Sequence, residues 1–322
     1  MLSRKKALFG GIALTLSTLG LLPVAWAADK YPSRPVQYVI PFGPGGESDI
    51  TARLQQPFFK KLTGEDLIIS YKPGGGGAVG WSQLNGMKGD GYNIMGVNLP
   101  HIIIKPLMGN VGFKTSDITT VYMFEYTPDA ILVRKDSPFK TLQDLIDYAK
   151  SHPGQLTFSG SGKGTANDLA NSRFDDATGT RTTYIPFKGT GAAFTALMGG
   201  QVKAEWGYST VAANHKSDVR MLAVATEKRV PLFPDVPTFK EKGIDMIGGT
   251  YRGIAVPKST PEAMRMKVSD LIGRINADPE FQKKMENRGF VLIDVPYKKV
   301  GAFMRQKTKE YIRLGKAAGV IK

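Results

Sequence analysis

The stretch Pro41–Asp49, with the sequence PFGPGGESD, contains residue types that suit the binding of an anion. Its three glycines let the backbone approach a ligand closely, and Ser48 or Asp49 can cap a helix that begins just after the turn. The first N–H groups of a helix lack internal partners and lie at its positive dipole end, so they attract carboxylate or phosphate. The sequence therefore predicts an anion-binding turn.

A second turn of the same kind occurs at Leu156–Asn167, LTFSGSGKGTAN. The hydroxyl groups of Ser159, Ser161 and Thr165 can donate to a bound carboxylate beside the backbone N–H of Gly162. The same hydroxyls could also cap the following helix, and the two interpretations are compatible. Two such turns, far apart in a chain with no evident catalytic set, predict a clamp that holds one anion.

Two glycine-rich motifs of nucleotide-binding proteins are incomplete here. Gly162–Thr165 resembles the end of a P-loop, but Thr157 stands where that motif requires its first glycine. The turn Lys72–Gly80 contains G-x-G-x-x-G, but Val97 and Asn98 occupy the position where a dinucleotide-binding fold has an acidic residue. We therefore interpret Lys72–Gly80 as a flexible turn that rims a cleft.

The sequence offers no metal or catalytic centre. The chain has no cysteine, and none of its three histidines, His101, His152 and His215, has a second ligand at metal-binding spacing. It also lacks the G-x-S-x-G motif of serine hydrolases. We predict no catalytic residue, no metal and no cofactor; His101 is a candidate for ligand contact because it follows Pro100 near the expected cleft.

The N-terminus resembles a secretory signal. Arg4–Lys6 is basic, Ala7–Val24 is almost wholly apolar, and Ala25–Ala27 has the small-x-small pattern of a processing site. We predict that Met1–Ala27 is a cleaved signal peptide and that the protein is periplasmic. The alternative is an uncleaved anchor, since the apolar run is at the lower limit of spanning length.

The formal net charge of +15 raises the question of nucleic-acid binding. The basic residues are scattered, however, and no run of five occurs. An exported chain also meets little nucleic acid. We predict no nucleic-acid partner and interpret the charge as a field that attracts small anions.

Short apolar runs alternate with amphipathic stretches, which is typical of an α/β fold with substantially parallel sheets. Strands are predicted at Val36–Ile40, Leu67–Ser70, Tyr92–Val97, Ala130–Val133, Leu156–Ser159, Thr183–Pro186, Ala204–Trp206, Met221–Thr226 and Gly253–Val256. Helices are predicted at Asp49–Lys61, Leu142–Lys150, Thr165–Ala177, Ala192–Met198, Pro261–Asn276 and Pro279–Arg288, with a long amphipathic stretch at Tyr297–Ala318. Thr260 and Asp278 are possible N-caps.

The length of the mature chain suits two lobes, yet no flexible linker divides it. We therefore expect two strands to pass between the lobes, near Tyr126–Ala130 and Gly249–Arg252. This predicts a discontinuous first lobe, 28–127 plus 252–322, and a second lobe, 128–251. The two anion-binding turns would then face each other across the cleft, and we expect a monomer.

Taken together, several segments resemble the periplasmic solute-binding proteins of tripartite tricarboxylate transporters, the Bug or TctC family. The resemblance covers nearly the whole mature chain. The segments are Tyr31–Asp49, Tyr71–Gly80, Gly89–Met95, Phe187–Trp206, Leu222–Gly243 and Gly253–Pro261. It implies a two-lobed fold of the type II, Venus-flytrap kind, each lobe a mixed sheet flanked by helices.

The resemblance also implies a set of ligand-binding residues. In this family both turns hold one carboxylate of the ligand, partly through backbone amides. The corresponding residues here are Phe42, Gly43, Gly46, Ser48, Asp49, Ser159, Gly162, Thr165 and Asn167. The far end of the ligand would meet Tyr208, Ser209 or Arg252.

The chain departs from the family pattern where the far end of the ligand would lie. Asn167 and its neighbour replace a frequent histidine, and Tyr208 and its neighbour replace a frequent aspartate. Arg252 and the preceding tyrosine replace a frequent tryptophan and its aromatic or small neighbour. Arg252 could pair with a second carboxylate, and Tyr208 could stack on an aromatic ring. Glu47 adds negative charge beside the turn, so we expect its side chain to point outward.

The function that these features favour is binding without chemistry. We expect a small carboxylate, either a di- or tricarboxylate or an aromatic carboxylate, to be captured between the lobes. The protein would then deliver it to the membrane permease subunits of a tripartite tricarboxylate transporter. The alternatives are a sensor subunit for a membrane receptor kinase and an exported hydrolase or lyase.

Overall fold

The computed structural model describes residues 30–322, so the predicted signal peptide lies outside the described residues. The strands are β1 Val36–Ile40, β2 Leu67–Tyr71, β3 Asn93–Leu99, β4 Thr119–Arg134, β5 Thr157–Gly160, β6 Thr183–Pro186, β7 Ala204–Tyr208, β8 Val219–Val224, β9 Gly249–Val256 and β10 Val291–Val295. The α-helices are α1 Glu47–Thr63, α2 Ala78–Gln83, α3 His101–Met108, α4 Leu142–Ser151, α5 Ala166–Thr178, α6 Thr190–Met198, α7 Ser209–Asn214, α8 Glu262–Asn276, α9 Pro279–Glu286 and α10 Tyr297–Ala317. Within residues 30–322, no helix is both long and apolar enough to cross a membrane.

The first sheet has the order β2-β1-β3-β9-β4, with β10 on the other edge of β4. β1 lies parallel to β2 and β3, whereas β9 is antiparallel to both β3 and β4. Helix α1 packs on this sheet together with α8 and α9, and the rings of Phe58 and Phe281 meet edge to face at 5.4 Å. The sheet therefore fixes the place where β1 ends and α1 begins.

The second sheet has the order β4-β7-β5-β6, with β8 also paired to β4. β5 is parallel to β6 and β7, and β7 is antiparallel to β4. Its core is aromatic: Phe158, Phe174, Trp206 and Phe239 are buried against one another, and Trp206 Nε1 donates to Asn171 Oδ1 at 3.1 Å. This core supports β5 and α5, which flank the second turn.

The long strand β4 belongs to both sheets. Its residues 119–128 pair with β9, and its residues 129–134 pair with β7 and β8. β9 begins at Gly249, opposite Pro128, immediately after a segment hydrogen-bonded to the second sheet. The α/β, two-lobed binding-protein fold is thus confirmed, while the exact lobe limits stay a prediction.

Every predicted strand and helix overlaps an element of the same type, but several elements escape the sequence patterns. α2 and α7 are short, α3 is apolar on most faces and contains Pro106, and the part of β4 that pairs with β9 contains Pro128. Two predicted caps are wrong. Thr260 does not cap α8, since Pro261 occupies that position, and α1 begins after Gly46, so Ser48 and Asp49 lie in its first turn.

The close packing of β9 between β3 and β4 gives a test of the fold. A Cβ added to Gly253 would lie 2.2 Å from the carbonyl oxygen of Tyr122, so Gly253→Ala should destabilise the protein by about 1–3 kcal/mol. Gly86→Ala is the matched control, because a Cβ there meets nothing within 4 Å. Its effect should stay within about 0.5 kcal/mol. Urea unfolding measures both; equal effects would contradict the packing.

Candidate ligand-binding site

The first turn is held in place by Asp49, the third residue of α1. Its Oδ2 accepts from the backbone N–H of Gly45 at 2.8 Å. Its Oδ1 accepts from Tyr71 Oη at 2.7 Å and from Arg53 Nε at 2.9 Å. Because these contacts occupy the carboxylate, Asp49 shapes the turn and does not line the cavity described below.

The second turn is built by the hydroxyl groups that the sequence singled out. Thr165 is the N-cap of α5: its Oγ1 donates to the carbonyl of Gly162 at 2.7 Å and accepts from the N–H of Asp168. The Ser161 hydroxyl donates to Asn167 Oδ1 at 2.6 Å, and the Ser161 N–H donates to the same oxygen. Helix capping by Thr165 is therefore confirmed.

The two turns meet around one small cavity of about 20 Å³. That volume holds about one water molecule, so the turns are closely apposed. The predicted residues that line the cavity are Phe42, Gly46, Ser48, Ser161, Tyr208 and Arg252. The histidine candidate His101 also lines it, with three residues that sequence reasoning missed: Glu47, Asn98 and Thr190.

The remaining predicted residues lie behind this lining. The N–H of Gly43 donates to the carbonyl of Lys188 at 2.9 Å, and Ser159 Oγ donates to the carbonyl of Ala193. A Cβ placed on Gly162 would lie 2.9 Å from the Cα of Gly76, so the turn Lys72–Gly80 contacts the second turn directly.

Two further predicted residues are buried and keep an unused polar atom. Asn167 Nδ2 and Ser209 Oγ have no hydrogen-bond partner within residues 30–322. Asn167 already accepts from Ser161 through its other amide atom. These two atoms remain available as donors close to the second turn and to the start of α7.

The expected orientation of Glu47 is wrong. Its side chain is 3% exposed, and Oε1 accepts from Thr210 Oγ1 at 2.5 Å. The Glu47 N–H donates to Thr190 Oγ1 at 3.2 Å, so this residue joins α1 to α6 and α7. A carboxylate is favoured in the first turn of a helix. The negative charge that Glu47 shares with a ligand anion was therefore not a sufficient reason to expect its side chain to point outward.

Arg252 lies at the centre of a buried ion cluster. Its Nη1 is 2.7 Å from Thr127 Oγ1, 3.4 Å from Glu125 Oε1 and 3.9 Å from Glu47 Oε2. The guanidinium also lies 4.9 Å from the centre of the Tyr208 ring, within cation–π range. The guanidinium of Arg252 thus already has hydrogen-bonding and ion-pair partners within the protein itself.

Burial governs the protonation of the acids around Arg252. It raises the pKa of Glu125 to about 8 and that of Asp129 to about 7, although Arg252 pulls in the opposite direction. It also raises the pKa of Glu205 well above its usual range. The pKa of His101 is well below its usual value because of burial and the positive charges of Arg252 and Lys105. The imidazole is therefore neutral near pH 7.

This architecture, with two lobes joined by β4 and β9 and two helix-terminal turns around one polar cavity, defines a solute-binding protein. The chain matches the sequence model of the tripartite tricarboxylate transporter family receptor, TctC, over residues 51–320. It belongs to this family, which consists of binding proteins and not of enzymes.

Relatives and solved structures agree with this assignment. A UPF0065 protein encoded in the TAR-I ttuE-ttuC' intergenic region of Agrobacterium vitis is 32% identical, covering 86% of this chain and 81% of the relative. The periplasmic binding protein BugD superposes with a TM-score of 0.85 at 30% identity, covering 91% of this chain and 100% of BugD. MatC from Rhodopseudomonas palustris with bound malate has a TM-score of 0.81 at 25% identity, covering 91% and 100%.

The raised pKa of Glu125 predicts a pH dependence of stability. The folded protein keeps this proton up to about pH 8, whereas the unfolded chain loses it near pH 4.3, so stability falls as pH rises between these values. Glu125→Gln cannot ionise, and its stability relative to wild type should rise with pH, by up to about 1.4 kcal/mol per pH unit. Urea unfolding between pH 5 and pH 8 measures this difference.

The control for this experiment is Asp66→Asn, which removes an exposed carboxylate of the same lobe. Its stability relative to wild type should change little over the same range. Parallel pH profiles for Glu125→Gln and wild type would contradict a Glu125 that is protonated in the folded protein.

Proposed function

We propose that this protein is a periplasmic receptor that captures a small carboxylate between its lobes and delivers it to a tripartite tricarboxylate transporter. The observation that carries the proposal is that two helix-terminal turns from different sheets line one cavity. Gly46 and Ser48 come from the start of α1, and Ser161 comes from the turn before α5. Both helix termini favour negative charge at the same place.

Other groups near the cavity suit a carboxylate. The hydroxyls of Ser48 and Ser161 can rotate to donate to an anion. Lys105 lies against the second turn, since a Cβ on Gly164 would come within 2.5 Å of its Cδ. Its charge adds to the positive potential of the helix termini.

Binding of the ligand would favour closure of the two lobes around it. The bonds from Gly43 N–H to Lys188 and from Glu47 N–H to Thr190 link the first turn to the segment around the start of α6. These bonds exist only while the two sheets are held in this arrangement. Because the cavity in this arrangement holds about one water molecule, a ligand would enter while the lobes are further apart, and its contacts to both turns would favour a closed state around it.

The comparisons support the chemical class. MatC, 25% identical to this chain, is a malate-bound structure of the same fold, and BugD is a periplasmic binding protein. The family description, receptor of a tripartite tricarboxylate transporter, supports membrane permease subunits as the partner. Co-purification of the mature protein with those subunits would test delivery; capture of a receptor kinase instead would favour the sensor alternative.

Ser161 is the side chain of the second turn that tests the site. Thermal unfolding of the mature protein should be followed across aliphatic mono-, di- and tricarboxylates and aromatic carboxylates. A ligand at a hundred times its Kd adds about 2.7 kcal/mol of stability, which raises Tm by several degrees. Ser161→Ala should weaken binding of that ligand about tenfold or more, since it removes a bond to a charged oxygen.

Ser217→Ala is the control, because Ser217 is exposed and bonds only to its neighbour Asp218. It should bind like wild type in isothermal titration calorimetry. No Tm shift with any carboxylate, from protein refolded to remove bound ligand, would contradict the proposal. Turnover of a carboxylate, seen by product analysis, would favour the hydrolase or lyase alternative.

Closure can be tested at Gly191 in α6. A Cβ there would lie 2.8 Å from both Pro44 O and the carbonyl carbon of Gly45, so Gly191→Ala should oppose the contact between the first turn and the start of α6. We expect at least a tenfold loss of affinity and a larger radius of gyration with ligand present, because less of the protein reaches the closed state. Titration calorimetry and small-angle X-ray scattering measure the two effects.

Gly301→Ala is the matched control, because a Cβ at this position of α10 meets only the end of the Arg305 side chain, at 3.6 Å. It should leave both affinity and radius of gyration unchanged. Wild-type affinity in Gly191→Ala would show that closure does not require the close approach of the first turn to α6.

A further inference from the structure

The lining of the cavity contains polar atoms to which the protein supplies no hydrogen bond. Within residues 30–322, Glu47 Oε2, Asn98 Oδ1, His101 Nδ1 and Arg252 Nε are buried and make no hydrogen bond. Asn98 Oδ1 can only accept hydrogen bonds, and so can Glu47 Oε2 when its carboxyl group is ionised. A buried acceptor without a donor is destabilising, so these atoms call for a ligand group that donates.

The charges of the residues that line the cavity also favour a donating ligand group. Glu47 is one full negative charge when ionised, and Arg252 is the one full positive charge on the lining, since His101 is neutral. Arg252 is already shared with Glu125 and Thr127. A second ligand carboxylate at this end of the cavity would therefore lie beside Glu47 without a cation of its own.

We propose that the ligand is a small amino carboxylate whose ammonium group is bound by Glu47 and Asn98. This inference rests on the proposed function, because the carboxylate of the same ligand would occupy the two turns. Glu47 is the first residue of α1, so the acceptor and the helix N–H groups lie within one helical turn. A short separation between ammonium and carboxylate, as in a 2-amino acid, fits this spacing.

An amino carboxylate would give the buried carboxylate of Glu47 a positive charge and hydrogen-bond donors. Burial raises the pKa of Glu47, although Arg252 and Thr210 favour its ionised form, and a carboxylate removed from water requires close partners. An ammonium group supplies both the missing charge and up to three donors. A ligand hydroxyl supplies a donor but no charge, so it should satisfy the site only in part.

Succinate, malate and aspartate test this inference, because they differ only in the group at C2: hydrogen, hydroxyl or ammonium. Pairs with other skeletons, propionate with alanine and 3-phenylpropionate with phenylalanine, allow for a different chain length or an aromatic end. Titration calorimetry at pH 7 should show, for the skeleton that binds, the amino compound at least tenfold tighter than its nitrogen-free counterpart. In the four-carbon series malate should lie between the other two.

Glu47→Gln keeps the size of the side chain and removes its charge. The ratio of affinities, amino compound over nitrogen-free counterpart, should fall at least tenfold, mainly through loss of the amino compound. Asp66→Asn removes an exposed carboxylate from the same lobe and should leave the ratio unchanged. The ratio of the two affinities can be measured with the wild-type protein alone. A Glu47→Gln protein that folds poorly would therefore not prevent the test.

Two results would overturn the inference. One is a nitrogen-free carboxylate that binds wild type as tightly as its amino counterpart in every series. The other is an unchanged ratio in folded Glu47→Gln. Failure of the whole panel, with and without nitrogen, is a separate result, because it would overturn the proposed carboxylate receptor itself.

Discussion

The ion cluster around Arg252 is the interaction on which the rest of the site depends. Arg252 comes from β9, Glu125 and Thr127 from β4, and Glu47 from the start of α1, so one guanidinium connects both lobe-crossing strands to the first turn. Buried ion pairs gain little net stability, but removing one partner leaves a costly unpaired charge. The cluster therefore acts mainly by fixing where α1 begins relative to the strands.

A second constraint is that glycines, which have no Cβ, occupy the closest contact between the lobes. A Cβ on Gly46 would lie 2.9 Å from Thr190 Oγ1, and one on Gly191 would lie 2.8 Å from Pro44 O. These glycines let the start of α1 approach the start of α6 closely enough for the Glu47–Thr190 bond. The glycines of the first turn thus serve contact between the lobes as well as access of a ligand to the backbone.

The sequence predicted the parts of this protein that local patterns determine. Glycine turns, amphipathic helices such as α1, and apolar strands such as β1 follow from spacing within a few residues. The inward Glu47 and the occupied Arg252 depend on partners far away in the chain, Thr210 and Glu125, which no local pattern reveals. The same holds for Asn98 and Thr190, which reach the cavity only through the assembled sheets and helices.

Different residues therefore attract the ligand and select it: charged residues of the surface attract anions, and the lining of the cavity distinguishes between them. The formal net charge, +15 for the whole sequence and +12 without Arg4, Lys5 and Lys6 of the predicted signal peptide, gives the surface a field that brings anions toward the protein from a distance. That field acts on net charge and cannot distinguish one carboxylate from another once it arrives. Within the cavity an ionised Glu47 offsets the charge of Arg252, and the remaining preference comes from oriented helix N–H groups and from acceptors that make no hydrogen bond. Discrimination thus rests on the few atoms that the protein cannot satisfy internally, chief among them the second oxygen of Glu47.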